Sequence, residues 1–353
     1  MKTKTEQLEI ILGVDTHLDV HVGAIISQTG KLLGTRSFSA RSSGYIELLH
    51  WASSFGLLFR AGLEGTGTYG AGLCQLLIEN NVKVFEVNRP DRSKRRLKGK
   101  SDPIDAENAA RSVLSGMASA IPKQHSGACE AMRMVSVARR SAVKAKTQTI
   151  NQLRSLLVSS PQNIREKLLK VKALDCINAC SKINCLGDTV VLKTLTQTLK
   201  LLSKRWLALA KELRQLDKQL ESLTSEYAQQ VRSRFGVGPQ TAATLLTVAG
   251  DNPERLKSEA ALAALCGVNP LPASSGKTVR HRLNRGGNRA ANNALWTIAM
   301  VRMRSDPRTR EYVVRRTKEG LTTKEIQRCL KRYIVRELFP LILDDLGRSK
   351  AIV

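Results

Sequence analysis

Leu192, Leu195, Leu199, Leu202, Trp206, Leu209, Leu213, Leu216, Leu220, Leu223 and Tyr227 follow one another at alternating spacings of three and four residues, without a break. This is the a/d pattern of a heptad repeat held over five heptads, and an α-helix gathers all of these side chains on one stripe. At 1.5 Å per residue such a helix is about 54 Å long. A stripe of that length leaves apolar surface in water unless a second helix covers it. The segment that precedes it can fold back as the partner. Arg133, Arg139, Arg140, Lys144, Lys146, Arg154 and Arg165 fall between Glu130 and Glu166 with no acid among them, which reads as a helix with one cationic side. A second protomer can equally supply the partner, giving a homodimer or tetramer through a coiled coil. A strict a/d seam is narrower than the stripe of a globular bundle, and this favours the second protomer.

The chain before this region reads as α/β. Glu9–Asp15, Val20–Ile26 and Lys31–Phe38 are three strands joined so closely that they form an antiparallel meander. A helix over about 44–54, a strand over Leu57–Glu64, a helix over 68–80, a strand over Val82–Val87 and a helix opening at Asp102 follow. The order β-β-β-α-β-α-β-α is that of a ribonuclease H-like fold. The chain therefore divides into an α/β domain over 1–125, a basic helix and coiled-coil region over 126–230, and a helical domain over 231–353.

Charge narrows the partners. Lys and Arg number 57 against 30 Asp and Glu, a net +27 over 353 residues. Such self-repulsion does nothing for folding and points to a polyanion, nucleic acid first. No apolar run approaches the ~20 residues of a spanning helix, and the N-terminus lacks the pattern of a signal peptide. No membrane is expected, and the setting is read as cytoplasmic, nucleoid-associated and prokaryotic. The seven cysteines are scattered with no C-x-x-C pair. Cys176, Cys180 and Cys185 cluster without a nearby His or fourth Cys, so buried free thiols are expected rather than zinc. Aromatics are 4%, too few for platforms that stack single strands.

Four carboxylates fall where chemistry would need them. Asp15 ends the first strand and Glu64 the fourth, which are neighbours in a ribonuclease H-like sheet. Asp102 and Asp105, three apart at a helix start, share a face. Acids converging in one place stay ionised when divalent cations sit among them, and hard oxygen ligands suit Mg²⁺ or Mn²⁺. Two such ions can clamp the attacking and leaving oxygens of a phosphodiester. Asp102-Pro103-Ile104-Asp105 also reads as plain capping, with Asp102 at the N-cap and Pro103 at the first helical position. His17 near Asp15 could assist proton transfer or be incidental. Arg89, Arg92, Lys94, Arg95, Arg96, Lys98 and Lys100 crowd the stretch before Asp102, as a grip on a phosphate backbone requires.

The C-terminal part carries a second set. Gly236-Val237-Gly238-Pro239 resembles a helix-hairpin-helix turn, in which glycines let backbone N–H groups approach a phosphate. Between Glu259 and Asp306 there is no acid, while Lys277, Arg280, Arg282, Arg285, Arg289, Arg302 and Arg304 all fall there. Ser274 and Ser275 sit in a Pro/Gly loop facing this tract. A serine there is either a nucleophile towards phosphorus or part of a turn that binds phosphate passively, and residue chemistry alone favours the passive turn.

Gly13-Val14-Asp15-Thr16, Leu63-Glu64-Gly65-Thr66-Gly67-Thr68-Tyr69 and Lys100-Ser101-Asp102-Pro103-Ile104-Asp105-Ala106 resemble the three blocks of the DEDD transposases. These form the insertion-sequence one-hundred-ten group, related to the Piv pilin-gene invertase. Gly267-Val268-Asn269-Pro270 through Ser275-Gly276, and Arg282-Leu283-Asn284-Arg285-Gly286-Gly287-Asn288, resemble that family's C-terminal domain. The resemblance spans the chain in order, except over about 160–190. It implies a RuvC-like N-terminal domain binding Mg²⁺ through Asp15, Glu64, Asp102 and Asp105. It also implies a serine nucleophile, Ser275 with Ser274 as the alternative, that forms a covalent phosphoserine link to DNA. Members of full elements are guided by a structured noncoding RNA, so an RNA partner is expected beside DNA. Two other outcomes are compatible with the residues: a junction-resolving nuclease using water, and a non-catalytic nucleic-acid-binding dimer.

Overall fold

The computed structural model describes residues 8–87, 101–170, 172–277 and 281–351. The chain forms two compact units, Met1–His125 and Ser126–Val353.

The first unit is built on a mixed sheet of five strands in the order β3-β2-β1-β4-β5. These are β1 Glu9–Thr16, β2 Val20–Ser27, β3 Leu32–Ser39, β4 Leu57–Leu63 and β5 Lys83–Glu86. β1, β2 and β3 form the antiparallel meander, and β4 and β5 join parallel to β1. Helices α1 Ser42–Ser53 and α2 Ala71–Glu79 cover one face, and α3 Asp102–Leu114 covers the other. The alternation along β1 serves both faces. Ile10, Leu12 and Val14 enter the core with Leu48, Leu73 and Leu77 of α1 and α2, while Ile11 packs with Ala110 and Val113 of α3.

The seat of α3 is made of small residues. Gly13 pairs with Ala24 of β2 on one side and Gly62 of β4 on the other. A Cβ on Gly13 would fall 2.0 Å from the Ala106 carbonyl oxygen, and one on Gly62 would fall 2.7 Å from that of Ala109. The helix backbone therefore rides directly on the sheet. Its alanines, Ala106, Ala109 and Ala110, are buried there.

The second unit is helical. α4 Ala128–Val158 and α7 Val190–Tyr227 form an antiparallel hairpin. Leu153 and Leu157 meet Leu195 and Leu199 at one end, and Cys129 and Met132 share a cluster with Leu220 and Leu223 at the other. Between them Lys146 lies over the Trp206 ring at 4.4 Å and Arg139 donates to Asp217 at 2.5 Å. Leu199, Trp206, Leu213 and Leu220, seven apart, are buried within the single chain, and the rest of the seam is half-buried. The partner of the seam is thus α4 of the same chain. Buried Thr196, Ser203 and Thr224 widen the buried face of α7, and small polar side chains do not register in a hydrophobic pattern. Leu199→Ala should cost about 3 kcal/mol, read from urea midpoints, while Leu201→Ala, at a position 67% exposed, should shift the midpoint little.

Short helices α5 Gln162–Leu168 and α6 Ala173–Ser181 close the tip of the hairpin. Cys176 and Cys180 are free and buried there, and burial pushes the Cys180 thiol up to about 12, which keeps it protonated and inert. The base of the hairpin enters one large core with α8 Gln229–Arg232, α9 Pro239–Ala249, α10 Glu259–Leu265, α11 Arg289–Ser305, α12 Pro307–Lys318 and α13 Thr323–Ala351. β6 Pro270–Pro272 and β7 His281–Leu283 form a two-stranded arm. Among the described residues no helix is long and apolar enough to cross a membrane.

Candidate functional site

Asp15 and Glu64 are brought together by backbone bonds. The Glu64 N–H donates to the Val14 carbonyl at 3.2 Å, and Thr16 Oγ1 donates to the Glu64 carbonyl at 2.8 Å. Glu64 is thereby held on both sides of Asp15 in the neighbouring strand, about 4.8 Å away across a parallel pair. Strand alternation turns Asp15 with Ile11 and Gly13 to the α3 face. On that face α3 begins with Asp102 and carries Asp105 one turn on, and its close approach over Gly13 delivers both to the end of β1.

The result is an acidic centre. Asp15 and Asp105 are buried, Glu64 is half-buried and Asp102 is half-exposed. His17 Nε2 lies 3.2 Å from Asp15 Oδ2 and 3.6 Å from Asp102 Oδ1. One ligand atom from each of Asp15, His17 and Asp102 falls within 4.8 Å of the others. Burial raises the Asp15 pKa above its ordinary value, the charges of Asp102 and Asp105 add to this, and His17 opposes it. A carboxylate so placed lacks positive charge, and oxygen donors in this number suit a divalent cation. The donor set of two carboxylates and an imidazole nitrogen therefore fits a divalent cation.

The capping account of Asp102 does not hold. Ser101 is the N-cap, without a side-chain cap bond, and Asp102 is the first helical residue. His17 is the member of this cluster whose role the sequence left open. Its signal was its spacing, two residues after Asp15 and just past the end of β1. Arg92, Arg95, Arg96, Lys98 and Lys100 lie outside the described residues, as does Arg280.

In the helical unit, Ser274, Ser275 and Lys277 are exposed in the connection between β6 and β7. Gly276 follows Ser275 at φ +53°, a left-handed turn that favours glycine. Arg282, Arg285 and Arg289 are exposed. Arg302, grouped with them by sequence, is committed internally: it donates to the Phe235 carbonyl at 2.9 Å and pairs with Glu337 at 2.6 Å. Gly236 adopts φ +82° in the turn between α8 and α9, and the Gly238 N–H donates to Thr241 Oγ1 at 3.0 Å. α8 is only four residues long, so the hairpin element is reduced on that side.

An α/β unit with acids gathered where adjacent parallel strands end, and a basic helical unit carrying an exposed serine arm, define a two-unit protein with an acidic centre. The family model of the DEDD transposases of the IS110 group, described as Transposase, matches residues 12–160. A second, Transposase IS116/IS110/IS902 family, matches residues 228–314. The chain is also 31% identical over 140 residues to the Insertion element IS110 uncharacterized 43.6 kDa protein of Streptomyces coelicolor. That match covers 39% of this chain and 34% of the relative, about a third of its length. The chain belongs to the IS110 transposase family.

Proposed function

We propose that the protein is a transposase or site-specific DNA recombinase that cuts and rejoins DNA through a covalent serine intermediate. The observation that carries the reading is the meeting of Asp15, His17 and Asp102, with Asp105 beside them and Glu64 tied by its backbone to the end of the same strand, in a chain of the IS110 family. The strand order β3-β2-β1-β4-β5 supports a ribonuclease H-like, RuvC-type α/β domain. The division into 1–125, 126–230 and 231–353 belongs to the same reading.

In this mechanism Asp15, Glu64, Asp102 and Asp105 would hold Mg²⁺, or Mn²⁺, which would supply Lewis-acid charge at the phosphodiester. Lys277, Arg282, Arg285 and Arg289, with the Gly236–Gly238 turn, hold the DNA backbone. The Ser275 hydroxyl attacks phosphorus. A Ser–O–P bond forms, the bond to one DNA oxygen breaks, and that strand end leaves as a hydroxyl. The ester conserves the energy of the cleaved bond, so a second hydroxyl can reverse the step and rejoin strands without ATP. A noncoding RNA that pairs with the DNA substrates would select them.

Ser275→Ala should abolish recombination and the protein–DNA adduct trapped by denaturation. Full adduct formation in a variant with both Ser274 and Ser275 replaced by alanine would refute the serine role. Cleavage by wild-type protein with no adduct would favour a nuclease that uses water.

A further inference from the structure

A groove in the helical unit has a chemistry that the acidic centre does not account for. Its floor is set by backbone against backbone. A Cβ on Gly287 would fall 2.1 Å from the Gly267 nitrogen, and the Asn288 N–H donates to the Leu265 carbonyl at 2.7 Å. These contacts pin the loop after β7 to the end of α10. Between that loop, α11 and α13 lies a groove of about 510 Å³, within the range of small-ligand sites.

Its lining is one-sided in charge. Arg285, Arg289, Lys324, Arg328 and Lys331 face it, and among the described residues no carboxylate does. Lys331 is held in place: its Nζ donates to Asn292 Oδ1 at 2.9 Å, and Asn292 Nδ2 donates to the Cys266 and Gly267 carbonyls at 3.0 Å each. Burial, together with the neighbouring Arg328, lowers the Lys331 pKa. A half-buried ammonium set against an amide, among further cations, leaves the site short of negative charge. An anion entering the groove would relieve that shortage.

Cations alone would suit any polyanion. The groove also contains Trp296, which is 43% exposed, whereas Trp206 is 8% exposed and Trp51 packs against the core of the sheet. Exposing an indole costs apolar burial, and the backbone of an intact duplex offers nothing for it to stack on. An unpaired base does, with its phosphate one sugar away.

We propose that this groove seats one unstacked nucleotide of a nucleic-acid strand, with Lys331, Arg328 and Arg289 on its phosphate and Trp296 stacked on its base. The proposal rests on the nucleic-acid reading above and adds to it a place where a strand is held unpaired. A strand opened for exchange and a loop of a folded RNA offer the same chemistry.

The test uses the full chain with a short oligothymidylate, an oligouridylate of equal length, a blunt duplex and polyglutamate, followed by tryptophan fluorescence and by competition binding. Both single strands should quench the indole, and Trp296→Phe should remove most of the change contributed by this residue. Trp296→Ala should weaken single-strand binding about tenfold and duplex binding less than about twofold. Replacing Lys324 and Arg328 together by alanine should reduce the salt dependence of single-strand binding. The tighter of the two single strands identifies the source.

Equal loss for duplex and single strands on Trp296→Ala, no loss for either, or quenching by polyglutamate as strong as by the oligonucleotides would each overturn the groove assignment. With duplex binding intact, such a result would leave the nucleic-acid reading standing. Absence of binding to every nucleic acid would overturn both. Unfolding midpoints of the variants within error of wild type exclude loss of fold as the cause.

Discussion

Asp15→Asn is expected to reduce DNA cleavage by at least about a hundredfold and, in metal-free protein, to raise stability. Both follow from one placement. Asp15 is buried at the end of β1 with Asp102 and Asp105 against it, and its pKa is raised mainly by burial. A carboxyl with a raised folded pKa holds more protons folded than unfolded in the window from its ordinary 3.8 up to the raised value. Stability therefore falls as pH rises through that window, and the penalty is present in full above it. Asparagine carries no charge and removes the penalty. The gain over wild type should be largest near neutral pH and should shrink as the pH approaches 3.8. His21, fully buried and with its pKa lowered by burial, acts in the opposite sense in both proteins, so the difference between the two pH curves is the quantity to read. Divalent metal should reverse the order. At about a hundred times Kd it stabilises wild type by about 2.7 kcal/mol, and the variant should gain much less. Equal metal-induced shifts in the two proteins, measured by calorimetry, would remove Asp15 from the metal site.

Gly13→Ala should cost about 3 kcal/mol or more, the upper end for overpacking, because the added methyl has nowhere to go. It would lie 2.0 Å from the Ala106 carbonyl oxygen and 2.4 Å from the Ala110 nitrogen, both helix backbone. α3 must lift off the sheet. Asp102 and Asp105 ride on that helix, so the lift also pulls them from Asp15. The variant should lose both stability and metal response, and a more stable background should restore the first before the second. A deletion on the same face of β1 is mild by comparison: Ile11→Val removes one methylene and should cost about 1 kcal/mol. A Gly13→Ala protein as stable as wild type would mean that α3 does not sit where its backbone contacts put it.

Much of this was legible in the residues. The meander, the existence of β4 and β5, and the ends of β1 and β4 at Asp15 and Glu64 follow from alternation and turn chemistry, which act over a few residues. The five-heptad stripe likewise announced the long helix α7. Two things were not legible, for a shared reason. The partner of the stripe and the internal pairing of Arg302 with Glu337 and the Phe235 carbonyl depend on chain segments tens of residues away. The role of His17 stayed open, since nothing local says that Asp102 arrives within 3.6 Å of it.

The linear chain decided where strands and helices form, which acids end strands, and that the whole carries an excess of positive charge, because these are sums over near neighbours and over composition. Folding in three dimensions decided the rest. Gly13, Ala24 and Gly62 align only across three strands, and only their alignment lets α3 descend far enough to join its two acids to Asp15. Arg285, Lys324 and Lys331 become one groove around Trp296 only when α11 and α13 pack. Coulomb energies and hydrogen bonds depend on distance through space, and sequence separation does not record that distance until the core has closed.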